Sequence, residues 1–285
     1  MPPILTLTTD FGVGSPYVAE MKGVMLSRAP GATIVDITHA APPQDIRYAC
    51  DVLASVTPRF PAESIHVAVV DPGVGTSRRI VCVRLAPPSR HAFVLPDNGL
   101  LTGILASQHV AEAVEVTEPR YWLSPVSATF HGRDIMAPVA AALAGGVEPE
   151  ELGPAVDTAS LVRLPPDLPT ISPSEIRGRV TRADSFGNLI TNITRADVRE
   201  AGLADRKTVV VVAIWPESDR IQSNESERNL EIRRIVATYA DAAPGETVAL
   251  FGSQDRLEIA VSGGSALREL GATPGSVVIV RTAGR

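Results

Sequence analysis

Cysteine is scarce in this chain: Cys50 and Cys82 are the only two, far apart and both in apolar surroundings. That usage predicts buried free thiols in a reducing compartment and excludes a disulfide scaffold. CxxC, HExxH and clustered Cys/His are all missing among five scattered histidines, so no metal site is expected. No run approaches the roughly 20 apolar residues that span a bilayer, which predicts no membrane partner. The opening MPPILTLTTD lacks a basic segment and a leader-length apolar run, so a cytoplasmic protein is expected. A basic excess is also lacking: 26 Lys+Arg stand against 32 Asp+Glu, a net charge of −6. That balance argues against a nucleic-acid partner.

What is present is an ordinary globular composition, 45% hydrophobic and 20% charged over 285 residues, enough chain for two domains. The first half alternates strand and helix patterns. Strands are predicted at 4–8, 33–37, 65–70, 80–85, 92–95 and 113–116. Helices are predicted at 17–29, which Ser15 could cap with Pro16 at the first position, and at 45–56, 99–107 and 134–144. The alternation predicts an α/β domain over 1–163 with a largely parallel sheet. LPPDLPTISPSE at 164–175 has four prolines in twelve residues and reads as an extended linker. From 176 to 285 the texture is strands at 175–182, 208–215, 231–238, 247–251, 257–261 and 277–281. With no long helical pattern among them, a small β-barrel or sandwich is expected, and a barrel is the assignment.

Three stretches of the first half could carry chemistry. Asp10 follows the first strand in TTDFG, and Asp71 follows the third in VVDPGVGTSRRI. In open α/β sheets ligands bind outside the carboxyl ends of strands, although either aspartate alone could be a turn former. The glycines after Asp71 do not form a phosphate loop, because GxxxxGK[ST] is absent and the next pattern is a strand. They suit close approach of backbone to a ligand. His131 sits in a glycine-flanked turn beside Arg133 and Asp134, where Asp134 could simply cap the helix. In the second half, RADSFGNLITNIT gathers Asp184, Asn188 and Asn192, residues that are also common turn formers.

Taken together, TTDFG at 8–12, VDPGVGTSRR at 70–79, TFHGRD at 129–134, DSFGN at 184–188, TYADAAPGE at 238–246 and SQDRLEIAVSGGSA at 253–266 resemble one family in order along the chain. It is the S-adenosylmethionine hydroxide adenosyltransferases, hydrolytic relatives of fluorinase and chlorinase. The resemblance implies a homotrimer whose ligand lies between the α/β domain of one subunit and the β domain of its neighbour. It implies that Asp71, Arg78 and His131 are the catalytic set and that Asp10 binds the ribose hydroxyls. Asp184 and Asn188 would hold the methionine end and the adenosyl part, with Ser253, Glu258 and Val261 on the adenine side. SQDRL departs from the family's usual Ser-Ser-Gly or Ser-Arg-Gly, which leaves the roles of Gln254 and Asp255 open. The halogenases carry tyrosine in place of Asp71 and an insertion not found here.

The implied reaction is hydrolysis of S-adenosyl-L-methionine to adenosine and L-methionine, with neither cofactor nor metal. A sulfonium leaves as a neutral thioether and needs no general acid. A positioned water, oriented and deprotonated by Asp71, then suffices. A halide-dependent transferase is the first alternative, and an aspartate at the nucleophile's place would repel a halide. A non-catalytic adenosine or S-adenosylmethionine sensor is the second, and it would not need the Asp–Arg–His set.

Overall fold

The computed structural model describes residues 2–203, 208–214, 228–232 and 235–282. The chain divides into two compact units, Met1–Pro165 and Pro166–Arg285.

In the first unit the chain runs β1 (Ile4–Thr9), α1 (Pro16–Arg28), β2 (Thr33–Thr38), α2 (Ile46–Val56), β3 (Ile65–Val69), β4 (Ile80–Leu85), β5 (Ala92–Pro96), α3 (Thr102–Ser107), β6 (Val110–Glu115) and α4 (Ala137–Ala144). The sheet order is β2-β1-β3-β5-β4-β6. The pairs β1/β2, β1/β3 and β3/β5 are parallel, while β4 runs antiparallel to both neighbours. Strand alternation sends side chains to opposite faces. Leu5, Leu7, Val67 and Val69 pack with Val18, Met21 and Met25 of α1 and Val139 and Leu143 of α4. Ala68, Phe93 and Leu95 face the other way, onto Ala49 and Leu53 of α2 and Ile104 of α3. The result is a sheet covered by helices on both sides.

Capping fixes the starts of the first two helices. Ser15 accepts from the Tyr17 N–H with Pro16 behind it, and Asp45 accepts from the Tyr48 N–H. The helix expected over 134–144 begins differently: Gly132–Met136 forms a π-helical turn before α4. Asp134 lies buried inside that turn and does not cap it; its Oδ2 accepts from the Ser127 N–H at 2.8 Å.

The second unit contains β7 (Thr170–Ser172), β8 (Glu175–Ala183), β9 (Leu189–Thr194), α5 (Arg195–Glu200), β10 (Thr208–Ile214), β11 (Arg228–Ile232), β12 (Ile235–Val236), β13 (Thr247–Phe251), β14 (Arg256–Val261), α6 (Ala266–Leu270) and β15 (Val277–Thr282). The pairing path is β11-β10-β15-β8-β9-β14-β13-β12, with β7 on β8. These strands form one nine-stranded sheet, and no pairing between its two end strands occurs among the described residues. The proline-rich stretch also holds more than a linker: Thr170 to Ser172 pair with Glu175 to Arg177. Its prolines at 169 and 173 flank the strand and leave the paired N–H groups intact. Two short helices, α5 and α6, interrupt the strands; each is only about a turn and a half, too brief for an amphipathic period to register. The strand expected over 231–238 divides into β11 and β12. Trp215 and residues 233–234 lie outside the described residues.

Candidate active site

The order β2-β1-β3 makes the crevice. The chain leaves β1 for β2 on one side, then returns to β3 on the other. Between β1 and β3 the connections diverge to opposite faces, which opens a gap outside the carboxyl ends. Asp10 follows β1 directly and Asp71 follows β3 after Val70, so topology brings together two carboxylates 61 positions apart in sequence. A cavity of about 260 Å³ opens there, with Asp10, Gln44, Asp71 and His131 among its walls and Phe11 and Phe130 as its aromatic sides.

Asp71 and Arg78 form the central pair. Arg78 Nε donates to Oδ1 and Oδ2 at 2.9 Å each, and Nη2 donates to Oδ2 at 2.5 Å. Their side chains are 5% and 11% exposed, so the pair is shielded from solvent and its geometry is fixed. The loop between them is tied by Thr76 Oγ1, which donates to the Gly73 carbonyl at 2.7 Å. Gly75 has φ +78, and a Cβ there would strike the Ala128 carbonyl. Glycine is therefore required for the 71–78 loop to lie against the segment that leads to His131.

His131 joins the pair through Arg78. Nη2 donates to His131 Nδ1 at 2.9 Å. A guanidinium offers only donors, so Nδ1 must be the acceptor and the neutral ring carries its proton on Nε2. Burial first, then the positive charge of Arg78, lowers the imidazole pKa below its ordinary value, with Asp71 and Asp134 opposing. Gly132 lets the π-helical turn close on β3, since a Cβ would press on Val69.

The wall around this set is braced. Arg133 forks onto Asp134, Nε to Oδ1 at 2.6 Å and Nη2 to Oδ2 at 3.0 Å, reaches Glu20 of α1 with Nη1 at 2.7 Å, and lies over the Phe130 ring. Although burial opposes it, the Arg133 hydrogen bonds hold the Asp134 carboxyl below its usual range. Phe130, Phe11 and Tyr17 contact one another edge to face. Asp10 is anchored too, its Oδ2 accepting from the Gln44 N–H at 2.8 Å. Phe11 and Phe130 lie inside the motifs DFG and TFHGRD; their adjacency to charged site residues is the signal that marks them. Gln44 carries no such signal.

The second unit assembles its own group. Asp184 Oδ1 accepts from the N–H groups of Phe186 and Asn188, and Oδ2 accepts from Asn188 Nδ2, all at 2.9 Å. Asn188 is buried while Phe186 is exposed. Glu258 is buried, and its Oε2 accepts from Tyr239 Oη at 2.8 Å. Burial, then that contact, raises the tyrosine pKa. The Glu258 carboxylate lies where a Cβ on residue 252 would stand, so Gly252 makes room for it. Ser253 is exposed in the adjacent turn. Val261 is buried in the hydrophobic core, which leaves only its backbone for a ligand. Gln254 accepts from Arg182, and Asp255 pairs with Arg195 at 3.0 Å. Tyr239 and Gly252 are the residues that sequence reasoning did not single out here.

One group of three carboxylates close enough to share a metal occurs among the described residues: Glu112, Glu148 and Glu150. Arg84 already pairs with Glu112 at 3.3 Å and with Glu148.

Comparison with known proteins agrees along nearly the whole length. The model of the SAM hydroxide adenosyltransferase N-terminal domain matches residues 5–153, and that of the C-terminal domain matches 178–279. The chain is 41% identical over 286 residues to the (R)-S-adenosyl-L-methionine hydrolase of Thermus thermophilus, covering 98% of this chain and 99% of that one. It is 39% identical over 275 residues to the Salinispora tropica protein of the same name, covering 96% and 95%. A solved structure from Thermotoga maritima, titled an uncharacterized conserved protein, superposes with a TM-score of 0.85 at 33% identity over 98% and 99% of the two chains. With both domain models matched in order and full-length relatives above a third identical, the chain belongs to the SAM hydroxide adenosyltransferase family.

Proposed function

We propose that this protein hydrolyses S-adenosyl-L-methionine to adenosine and L-methionine by attack of water on the ribose C5′. The observation that carries the reading is the linked Asp71–Arg78–His131 set, of which Asp71 and His131 line a cavity together with Asp10. In the reaction a water oxygen forms a bond to C5′ as the C5′–S bond breaks. The electron pair moves to sulfur, turning the sulfonium into the neutral thioether of methionine. The water's proton passes to Asp71 and then to solvent.

Each residue has a task its geometry suits. Asp71 Oδ1 receives a single N–H from Arg78, and its further lone pair orients and deprotonates the water. Arg78 fixes Asp71 and His131 together. His131, with Nδ1 occupied by Arg78, has Nε2–H to donate toward the water, keeping it in line. Asp10 accepts the ribose hydroxyls. An aspartate wall repels a halide, so water is the nucleophile that fits. In the second unit we assign Asp184 and Asn188 to the methionine end and adenosyl part, and Ser253, Glu258 and the Val261 backbone to the adenine side. We extend the reading to a homotrimer in which neighbouring chains complete one another's sites, as the family resemblance implies. We also place the protein in the cytoplasm, which suits its two buried free thiols.

The test is incubation of purified protein with S-adenosyl-L-methionine, supplying both sulfonium epimers because the relatives are named for the R form, followed by chromatography. Adenosine and methionine in equal amounts support the reading; no adenosine from either epimer overturns it. Because the leaving group is neutral and needs no Lewis acid, EDTA should leave the rate unchanged. A rate abolished by EDTA and restored by zinc or magnesium would contradict the mechanism.

A further inference from the structure

The sequence carries two adjacent arginines, and the chemistry above uses only Arg78. Arg79 turns the other way. Its Nε and Nη2 donate to Asp97 Oδ2 at 3.1 and 2.5 Å, and Nη2 also donates to the Ser160 carbonyl at 2.9 Å. The Asp97 side chain is 5% exposed. Its other oxygen accepts from the Val162 N–H at 2.9 Å, and its own N–H donates to the Arg79 carbonyl at 2.9 Å. Asp97 is thus clamped from three sides at the end of β5.

The next residue reaches the site. Asn98 Nδ2 donates to the Val70 carbonyl at 2.9 Å. That carbonyl belongs to the peptide joining Val70 to Asp71, so Asn98 holds the peptide plane from which the Asp71 side chain projects. The opposite amide orientation would set oxygen against oxygen, which fixes the assignment. Asn98 Oδ1 is buried without a hydrogen-bond partner in the structure. A half-satisfied buried amide is a poor choice for stability, where an apolar side chain of similar size would do better. The one bond it makes is to the peptide that carries Asp71.

We infer that Arg79, Asp97 and Asn98 form a positioning relay that sets the Val70–Asp71 peptide, and through it the direction of the Asp71 carboxylate. Both arginines then act on the same aspartate, Arg78 by direct pairing and Arg79 through Asp97 and Asn98. This rests on the reading of Asp71 as the residue that activates water. Asn98 is not part of the cavity wall, so the relay works on rate and not on binding.

The test uses Asn98→Ala, Asn98→Asp and Asn98→Ala combined with Asp71→Asn, each checked for folding by circular dichroism. Asn98→Ala should lower kcat about 10- to 100-fold, the scale of a small misplacement of a reacting group, with KM within about twofold of wild type. In the Asp71→Asn background it should cost almost nothing more, because the residue it aims is already disabled. Asn98→Asp sets a carboxylate oxygen against the Val70 carbonyl, but a protonated carboxyl can donate to it. The activity of Asn98→Asp relative to Asn98→Ala should therefore rise as pH falls. Normal kcat in a folded Asn98→Ala protein would overturn the relay, as would a loss that simply adds to Asp71→Asn or a pH-independent ratio of the two Asn98 variants. Absence of adenosine from the wild-type protein would instead count against the function itself. If Asn98→Ala fails to fold, the folded Arg79→Lys protein, which loses the fork onto Asp97, should show the same loss of kcat at constant KM; unchanged kcat there would equally overturn the relay.

Discussion

Asp71 in the first unit and Glu258 in the second are both shielded carboxylates beside glycine-bearing turns, but their partners differ in kind. Asp71 is held by three N–H contacts from a guanidinium that also holds a histidine. Glu258 is held by one tyrosine hydroxyl, above a glycine that yields its Cβ space. The first arrangement neutralises charge and fixes direction, which suits a group that must face one water at one angle. The second leaves a charged acceptor with spare lone pairs, which suits recognition of ligand N–H donors. Histidine divides the same way: all five, at 39, 66, 91, 109 and 131, fall in the first unit.

The comparison breaks most sharply at Asp71. Asp71→Asn should keep the shape of the site and most ligand affinity but lose about 10²- to 10⁴-fold in kcat, measured by adenosine release beside calorimetry. Near-normal turnover would remove Asp71 from its role.

Acid should separate the two units next. His66 is buried between Thr6 and His91, its ring stacked on Phe93. Burial, then the neighbouring His91, takes its pKa from 6.5 down to about 3. The unfolded chain therefore binds a proton below about pH 6.5 that the folded one refuses until about pH 3. Stability is full above that window and falls as pH drops through it, by an amount on the order of 4 kcal/mol at its foot. His91 and His131, also lowered, act in the same direction. Hydrogen exchange at pH 4.5 should show β3 and β5 losing protection before β9 and β14. His66→Gln should flatten the acid limb; an unchanged limb would rule His66 out as its source.

Smaller effects should sort by task. Asp10→Ala should weaken ligand binding by about 10- to 100-fold, the range for a lost charge-assisted hydrogen bond, as calorimetry would detect; unchanged affinity would sink the ribose assignment. Tyr239→Phe leaves Glu258 short of its donor and should cost about 1–3 kcal/mol in thermal melts of the second unit, with kcat altered less than by Asp71→Asn. A larger catalytic loss there would blur the contrast between the two units.

Much of the first unit was readable because its strands are short runs rich in apolar and β-branched residues and two of its helices open on Ser15 and Asp45. The turn around His131 was readable only in part, since a π-helical start leaves no periodic trace and Asp134 looks like any capping aspartate. The α3 helix begins at Thr102, later than the pattern from Gly99 suggests, because Gly99 has φ +106, outside the helical range, where a Cβ would strike Leu164. In the second unit, β7 hid among prolines and the strand order depends on long-range pairing that local pattern does not encode. Asp71 and His131 stood out beside glycines and Arg78 followed from the family resemblance, and the structure brings all three together. Asn98 did not stand out, since an asparagine before glycine reads as an ordinary turn.

The central claim is that Asp71 aims a water at C5′, and the direct test is turnover of S-adenosyl-L-methionine in water enriched in heavy oxygen. Mass spectrometry of the adenosine should find one heavy oxygen atom, located on the 5′ carbon, and none in methionine. Adenosine formed without the label, or carrying it elsewhere, would contradict the account.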